Sequence, residues 1–244
     1  MLMTSPRCSL SPDHEEKRRH DRRTANLCPT RGQFGAGACG SAAERSQIFV
    51  DAPARPRGNL AQVEALAKAA VDDLAAKLGD PAKDDTVFGP IANRAQYDRV
   101  QAMIAAGIAD GAKLICGGLG LPDGLTQGFF SRLTIFSDVT SDMRIAQEEI
   151  FGPVLSILPY DDVDQAVAIA NDTVFGLGGH LQGTDMEQVR SVARQIRTGQ
   201  VHINYPTWDP HAPFGGYKRS GNGREYGAFG FEEYLEIKSI LGFA

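Results

Sequence analysis

The stretch that decides the fold runs from Pro153 to Asn204, PVLSILPYDDVDQAVAIANDTVFGLGGHLQGTDMEQVRSVARQIRTGQVHIN. It opens on an apolar run, Pro153 to Tyr160, which reads as a buried strand. Val163, Ala166, Val167 and Ala170 then recur at the spacing of a helix with one inward face. Leu177 to Gln182 reads as the next strand. Thr184 with Glu187 three residues on has the form of a capping box, and the helix it opens carries Met186, Val189, Ala193 and Ile196. Gly199 ends that helix, and Gln200 to Asn204 reads as a further strand. Strands alternating with helices of this length imply right-handed crossovers and a mainly parallel sheet. The fold class is α/β.

The same periodicities extend outward. Upstream, Gln47 to Asp51 reads as a short strand, and Leu60, Val63, Ala67, Ala70, Leu74 and Leu78 lie on one helical stripe stopped by Gly79-Asp80-Pro81. Asn93, with Gln96 three residues on, starts a second helix that carries Tyr97, Val100, Ile104 and Ile108 on one face and ends at Gly111. Lys113 to Cys116 and Phe129 to Phe136 read as strands separated by the turn-rich GGLGLPDG. Downstream, Glu232 to Leu241 alternates Leu235 and Ile237 against Glu236 and Lys238, the pattern of a strand with one apolar face. Left alone it would be an exposed edge, so it is expected to pair within the fold or with another subunit.

Composition bounds the function. A net charge of −5 argues against general nucleic-acid binding, whose affinity comes mainly from neutralising phosphates. The longest apolar runs fall far short of the ~18 residues a membrane span needs. The first residues, MLMTSPRCSLSPDHEEKRRHDRR, lack the apolar core of a secretory signal. Cys8, Cys28, Cys39 and Cys116 are scattered with no C-x-x-C pair, which suits neither a disulfide framework nor a zinc site. The expectation is a reduced, cytoplasmic protein with no metal. Residues 1–45 are rich in Arg, Ser, Pro and mixed charge without periodicity, and are expected to form a solvated, disordered arm.

Two motifs carry the chemistry. Pro213 to Glu225, PFGGYKRSGNGRE, is a loop with four glycines, the composition of a tight backbone turn beside a cleft. Together with Gly227 it resembles the PFGG-x-K-x-SG-x-GRE-x-G segment of aldehyde dehydrogenases. Glu148 to Val154, EEIFGPV, resembles a second motif of that family and lies upstream in the right order. Gly79-Asp80-Pro81, Phe88-Gly89-Pro90, Ala170 to Thr173 and Gly199 to Asn204 are similar to the family as well, so the resemblance covers residues 46–244. It implies that Glu149 holds the nicotinamide ribose hydroxyls of NAD or NADP and that Phe151 packs beside the nicotinamide ring. A carboxylate can accept from two hydroxyls, and an aromatic face can limit where the ring sits. It also implies that Tyr205 to Phe214 lines the aldehyde tunnel, with Trp208 and Phe214 as apolar contacts. Packing is an equal explanation for Trp208 taken alone.

The nucleophile does not fall into register. The family's cysteine lies in a segment resembling G-Q-x-C-x-A-x-x-R-x-x-V. Here Gly32-Gln33 is followed by Phe34 and Gly35, with Cys39 further on. Counting forward from Gln33 puts the slot at Gly35, and counting back from Val50 puts it at Ala42. Cys39 is the candidate nucleophile, displaced from both. A three-residue slip in extended chain moves a side chain by ~10 Å. The run from Gly35 to Gly40 satisfies G-x-G-x-x-G but follows no apolar strand, so it is read as accidental. His180 and His202 fall in strands and are read as core or edge residues rather than ligands.

The resemblance implies oxidation of an aldehyde to the carboxylic acid: a cysteine thiolate attacks, hydride passes to NAD(P), and a glutamate activates water. The family's upstream Rossmann-type domain, with that glutamate and an oxyanion-hole asparagine, has no counterpart segment here. The expectation is therefore a truncated chain, cut by a frameshift or misplaced start before Ser46, that is weakly active or inactive alone. The alternative is a non-catalytic fragment or subunit that associates with a full-length or complementary aldehyde dehydrogenase chain; a homo-oligomer is the other partner expectation. In that alternative residues 232–241 serve as the oligomerisation strand.

Overall fold

Two small sheets organise residues 45–49 and 60–242, the part of the chain that the computed structural model describes, with 45–49 described as backbone only. The expectation of a disordered arm over residues 1–45 lies outside the described residues, apart from Arg45 itself.

The first sheet contains β1 (Arg45–Phe49), β5 (Gly178–Gln182) and β6 (Gln200–Ile203), in the order β1-β5-β6 and all parallel. A parallel pair needs a crossover, and α5 (Met186–Ala193) supplies it between β5 and β6. α4 (Val163–Asn171) buries Ala166 and Val167, as its sequence stripe requires. Val167, Leu181, Val189, Val192 and Ile196 form the core beside this sheet. The cap of α5 differs from the expected one. Asp185, not Thr184, is the N-cap residue, and its side chain accepts from the backbone N–H groups of Glu187 and Gln188. A one-residue shift in the start of the helix makes the aspartate the residue whose oxygen reaches the orphan donors.

The second sheet contains β2 (Lys113–Cys116), β3 (Thr134–Ser137) and β4 (Val154–Ser156). β2 pairs antiparallel with β3 through a bulge between Leu114 and Cys116, and β3 pairs parallel with β4. Three of the four strand pairings are thus parallel. β3 is buried throughout, and Phe136 joins Val100, Met103, Ile104, Val139, Ile145 and Ile150 in a second core. That core rests on α2 (Arg94–Ala109), where Asn93 accepts from the Gln96 N–H as the sequence indicates. Gly107 lets the helix approach, because a Cβ there would lie 3.0–3.1 Å from Ile145 and Phe136. Ile108, placed on the buried face by the periodicity, is instead exposed.

Other expected strands shorten. Of Pro153 to Tyr160, only β4 joins the ladder, and Leu155 on its outer face is 44% exposed. β4 is an edge strand covered on one side, so it is not the buried strand the apolar run implied. α1 (Leu60–Ala75) ends before Leu78 and buries none of its residues. It is held to β2 by an ion pair, Lys113 Nζ to Glu64 Oε2 at 2.8 Å. After α6 (Gly227–Glu232) the chain from Glu233 to Leu241 forms no ladder among the described residues, and Ile237 is 99% exposed. Pairing of this segment within the fold is therefore not realised: an extended segment becomes a strand only beside an open edge. No described helix is long and apolar enough to cross a membrane.

Candidate functional site

The segment Glu148 to Val154 is a turn fastened to the side of α2. Gln96, Arg99 and Val100 share one face of that helix because they lie three and four residues apart. Gln96 Nε2 donates to the carbonyls of Ile150 at 3.2 Å and Phe151 at 2.9 Å. Arg99 Nη2 donates to the Glu149 carbonyl at 2.8 Å. Val100 presses on Gly152 so closely that a Cβ there would lie 2.5 Å from its Cγ2. On the other side the Thr134 N–H donates to the Pro153 carbonyl at 2.9 Å, tying the turn to β3. Ile150 is the apolar peg of the turn, buried in the second core.

With its backbone held on both sides, the turn puts Phe151 outward. Its φ is +57°, a conformation that costs a non-glycine residue about 1–3 kcal/mol, and it is 48% exposed. The two acidic residues diverge in use. Glu148 pairs with Arg144 one turn back at 3.0 Å, and the guanidinium holds its carboxyl below the usual range. Glu149, half-buried, stands two residues before the exposed ring in sequence.

The second segment closes on itself through reciprocal N–H to carbonyl bonds between Phe214 and Glu225, both 2.7 Å. Its glycines permit backbone contact without side chains. A Cβ on Gly199, at the entry to β6, would lie 1.6 Å from the Gly215 carbonyl oxygen. The Gly176 carbonyl accepts from both Gly199 and Tyr217, at 3.0 and 2.8 Å, and the Gly176 N–H donates to Ser220 Oγ at 3.1 Å. Lys218, at φ +56°, turns its ammonium inward onto the carbonyls of Asn171 and Thr173, both 2.9 Å. Burial, and then the nearby Arg197, pull Lys218 below the usual lysine range.

This closed loop carries an aromatic group. Trp208, 69% exposed, meets Tyr226 edge-on with ring centroids 5.9 Å apart, and Phe214 lies 6.5 Å from the same Tyr226 ring. The two candidates named from sequence are thus joined by a third ring. Tyr226 was missed because it occupies the open position of GRE-x-G. Its φ of +63° makes the turn that aims it at the other two rings. Gln96 and Arg99 were missed for a related reason: their spacing marks a helix face, and nothing local shows what that face holds. Of the six non-glycine residues with positive φ among those described, five lie within 148–154 or 204–227. Three of them, Phe151, Lys218 and Tyr226, belong to the two motif segments, and Asn204 and Tyr205 directly follow β6.

The remaining candidates divide. Cys39 lies outside the described residues. His180 and His202 face each other across β5 and β6 with rings stacked 4.7 Å apart, as strand neighbours do. No group of three metal-ligating side chains occurs among the described residues. Cys116 is a half-buried free thiol whose burial raises its pKa against the opposing pull of Lys68, so its surroundings do not favour a thiolate.

Comparison with known proteins agrees with the two motifs. Residues 46–240 match the aldehyde dehydrogenase family model. The chain is 53% identical over 196 residues to a 3-succinoylsemialdehyde-pyridine dehydrogenase from a Pseudomonas species, covering 79% of this chain and 41% of that protein. Among solved structures it resembles aldehyde dehydrogenase C of Pseudomonas syringae, crystallised with NAD+ and octanal. The TM-score is 0.77 at 62% identity, over 84% of this chain and 41% of that one. An aldehyde dehydrogenase from Mycobacterium tuberculosis complexed with NAD+ gives a TM-score of 0.72 at 43% identity, over 81% of this chain and 40% of that one. The chain spans about two fifths of the length of these relatives. Motifs, fold and relatives coincide over the same residues, and the chain belongs to the aldehyde dehydrogenase family of oxidoreductases.

Proposed function

We propose that this chain supplies the nicotinamide-side and tunnel-side walls of a site that oxidises an aldehyde to its carboxylic acid with NAD or NADP. The observation that carries the reading is the Phe151 turn: a strained backbone, anchored to α2 and β3, that holds an aromatic ring at the surface two residues after Glu149. These residues fit the nicotinamide half of the cofactor, with Glu149 accepting from the ribose hydroxyls and Phe151 offering its face to the ring. When bound, the cofactor would supply the acceptor for the hydride that leaves the aldehyde carbon, and water would supply the second oxygen of the acid. Trp208, Phe214 and Tyr226 form an apolar wall that would hold the body of the aldehyde and keep water from it. Cys39 is the candidate nucleophile of this chain, out of register with the family's cysteine. The isolated chain is therefore expected to turn over little or no aldehyde. A cytoplasmic setting fits the free thiol of Cys116.

Nicotinamide mononucleotide is the probe, because it carries the half of the cofactor that this chain would contact. Saturation transfer by NMR from the chain to the nicotinamide protons is expected, lost in Phe151→Ala and weakened in Glu149→Gln. Transfer that survives both substitutions defeats the assignment. Incubation with octanal and NAD+ or NADP+ tests turnover. Reduction of either cofactor that disappears in Cys39→Ala overturns the expectation of an inactive chain.

A second reading, association with a copy of itself or with a complementary aldehyde dehydrogenase chain, rests on the tail. Ile237, Ile240 and Leu241, in the stretch that forms no ladder among the described residues, are all exposed, and such a row of apolar side chains suits strand addition to another subunit. Sedimentation of the purified chain is expected to show a dimer or larger species that Ile237→Asp dissociates. A monomer at every concentration refutes it.

A further inference from the structure

The two motif segments are far apart in sequence, yet both grip the same end of one helix. α4 ends at Asn171, and its last carbonyls have no partner within the helix. Lys218, in the loop that carries the aromatic group, donates to the carbonyls of Asn171 and Thr173 at 2.9 Å each. Gln147, immediately before the Glu148–Val154 turn, donates to the carbonyl between them, Asp172, at 2.9 Å. The same Nε2 also donates to the Ser141 carbonyl at 2.7 Å, so both of its N–H groups are engaged. Three successive carbonyls are thus taken alternately by one segment, the other, and the first again. Asn171 locks the helix end in turn, donating from Nδ2 to the Gln195 carbonyl and accepting from the Arg197 N–H, both at 2.8 Å.

From this geometry we infer that Gln147 and Lys218 are positioning residues, which set the Phe151 turn and the aromatic loop against each other through the end of α4. The role in catalysis rests on the function proposed above; the mechanical linkage does not. Neither residue touches the proposed ligands. Each acts through a shared support: only one φ/ψ pair separates each of these three carbonyls from the next, so a shift of one is passed to its neighbours. Displacing one grip shifts the acceptor of the other. Simple capping of the helix end differs from this linkage, since two independent caps would loosen only their own segments.

Amide hydrogen exchange on the full chain, without cofactor or aldehyde, separates the two. Lys218→Met keeps the aliphatic stem and removes the donors. Gln147→Glu keeps the shape and removes the amide donors. Lys218→Met is expected to speed exchange roughly tenfold at Val154 as well as at Tyr217 and Arg219, since loss of a charge-assisted bond is of that order. Gln147→Glu is expected to do the same at Phe214, Tyr217 and Glu225. Lys218→Arg, which can still reach two carbonyls, restores protection in both segments. Amides of the β5–β6 ladder are unchanged. Effects confined to each substituted segment overturn the linkage, as does faster exchange spread evenly into β5 and β6. If Lys218→Met does not fold, Gln147→Glu alone decides: it reaches the 214–225 loop or it does not. Nicotinamide mononucleotide is absent from this experiment, so failure of the proposed function leaves its outcome untouched.

Discussion

Gly199→Ala is the most demanding test of how the aromatic loop is built. A Cβ at this position would stand 1.6 Å from the carbonyl oxygen of Gly215 and 2.6 Å from its carbon. Both contacts are backbone, so no side-chain rotation relieves them, and one chain must retreat by well over 1 Å to reach an ordinary van der Waals distance. The retreat would pull apart the two bonds that converge on the Gly176 carbonyl, from Gly199 at 3.0 Å and Tyr217 at 2.8 Å. Overpacking in a tight site costs about 1–3 kcal/mol. Two weakened backbone bonds add about 1 kcal/mol each. The sum, about 3–5 kcal/mol, is a large part of the 5–15 kcal/mol, roughly, that holds a typical domain together. Urea unfolding followed by circular dichroism measures the loss. Trp208, the single tryptophan of the chain, reports in the same samples, because its contact with Tyr226 depends on where the loop sits. Gly178→Ala is the control: nothing lies within 4 Å of a Cβ there and its φ is ordinary, so a change near zero or a slight gain is expected. Equal midpoints for Gly199→Ala and the parent chain, with unchanged Trp208 emission, would refute the close approach of β6 and the loop.

Three further outcomes follow from the same coordinates. Gly152→Ala is expected to cost about 1–3 kcal/mol through its clash with Val100, and Val100→Ala in the same chain should recover part of that; additive losses in a double-mutant cycle would contradict the contact. Asp185→Ala should cost about 1 kcal/mol in denaturant unfolding as the lost cap of α5, with Thr184→Ala costing less; the reverse order would favour the capping box read from sequence. The Glu64 carboxyl is held below its usual range by Lys113, so the stability it contributes is present above the unfolded glutamate's pKa and is lost as pH falls through the lower folded value. Thermal melts of the parent chain and Glu64→Gln should therefore differ at neutral pH and converge in acid, whereas a gap that widens in acid would show that the ion pair does not hold α1.

Much of the fold is legible in the sequence because its signals are local. The apolar spacing of Val163 to Ala170 and of Val189 to Ile196 depends only on helix geometry; the first helix appears where that spacing puts it, and the second stops at Ala193, short of Ile196 and Gly199, with Ile196 still buried in the core. The run Pro153 to Tyr160 misled for a complementary reason. Apolar residues mark a segment that could be buried, but whether both faces are covered depends on how many neighbours its sheet has, and β4 is an edge. The tail after Glu232 has a clear strand pattern but pairs with no strand among the described residues, because a strand is a property of two segments and the pattern is a property of one.

The candidate site divides along the same line. By itself the sequence determined the family and the α/β class, and its resemblance to the family named Glu149, Phe151, Trp208 and Phe214 as candidates. Only the tertiary structure decided that Gln96, Arg99 and Val100 hold the Phe151 turn, that Tyr226 joins Trp208 to Phe214, and that Gln147 and Lys218 meet at the end of α4. Those pairings join residues tens of positions apart. A donor and a carbonyl acceptor carry no mark of each other in sequence, because every residue supplies the acceptor, and only the packing of the two segments chooses which one is met.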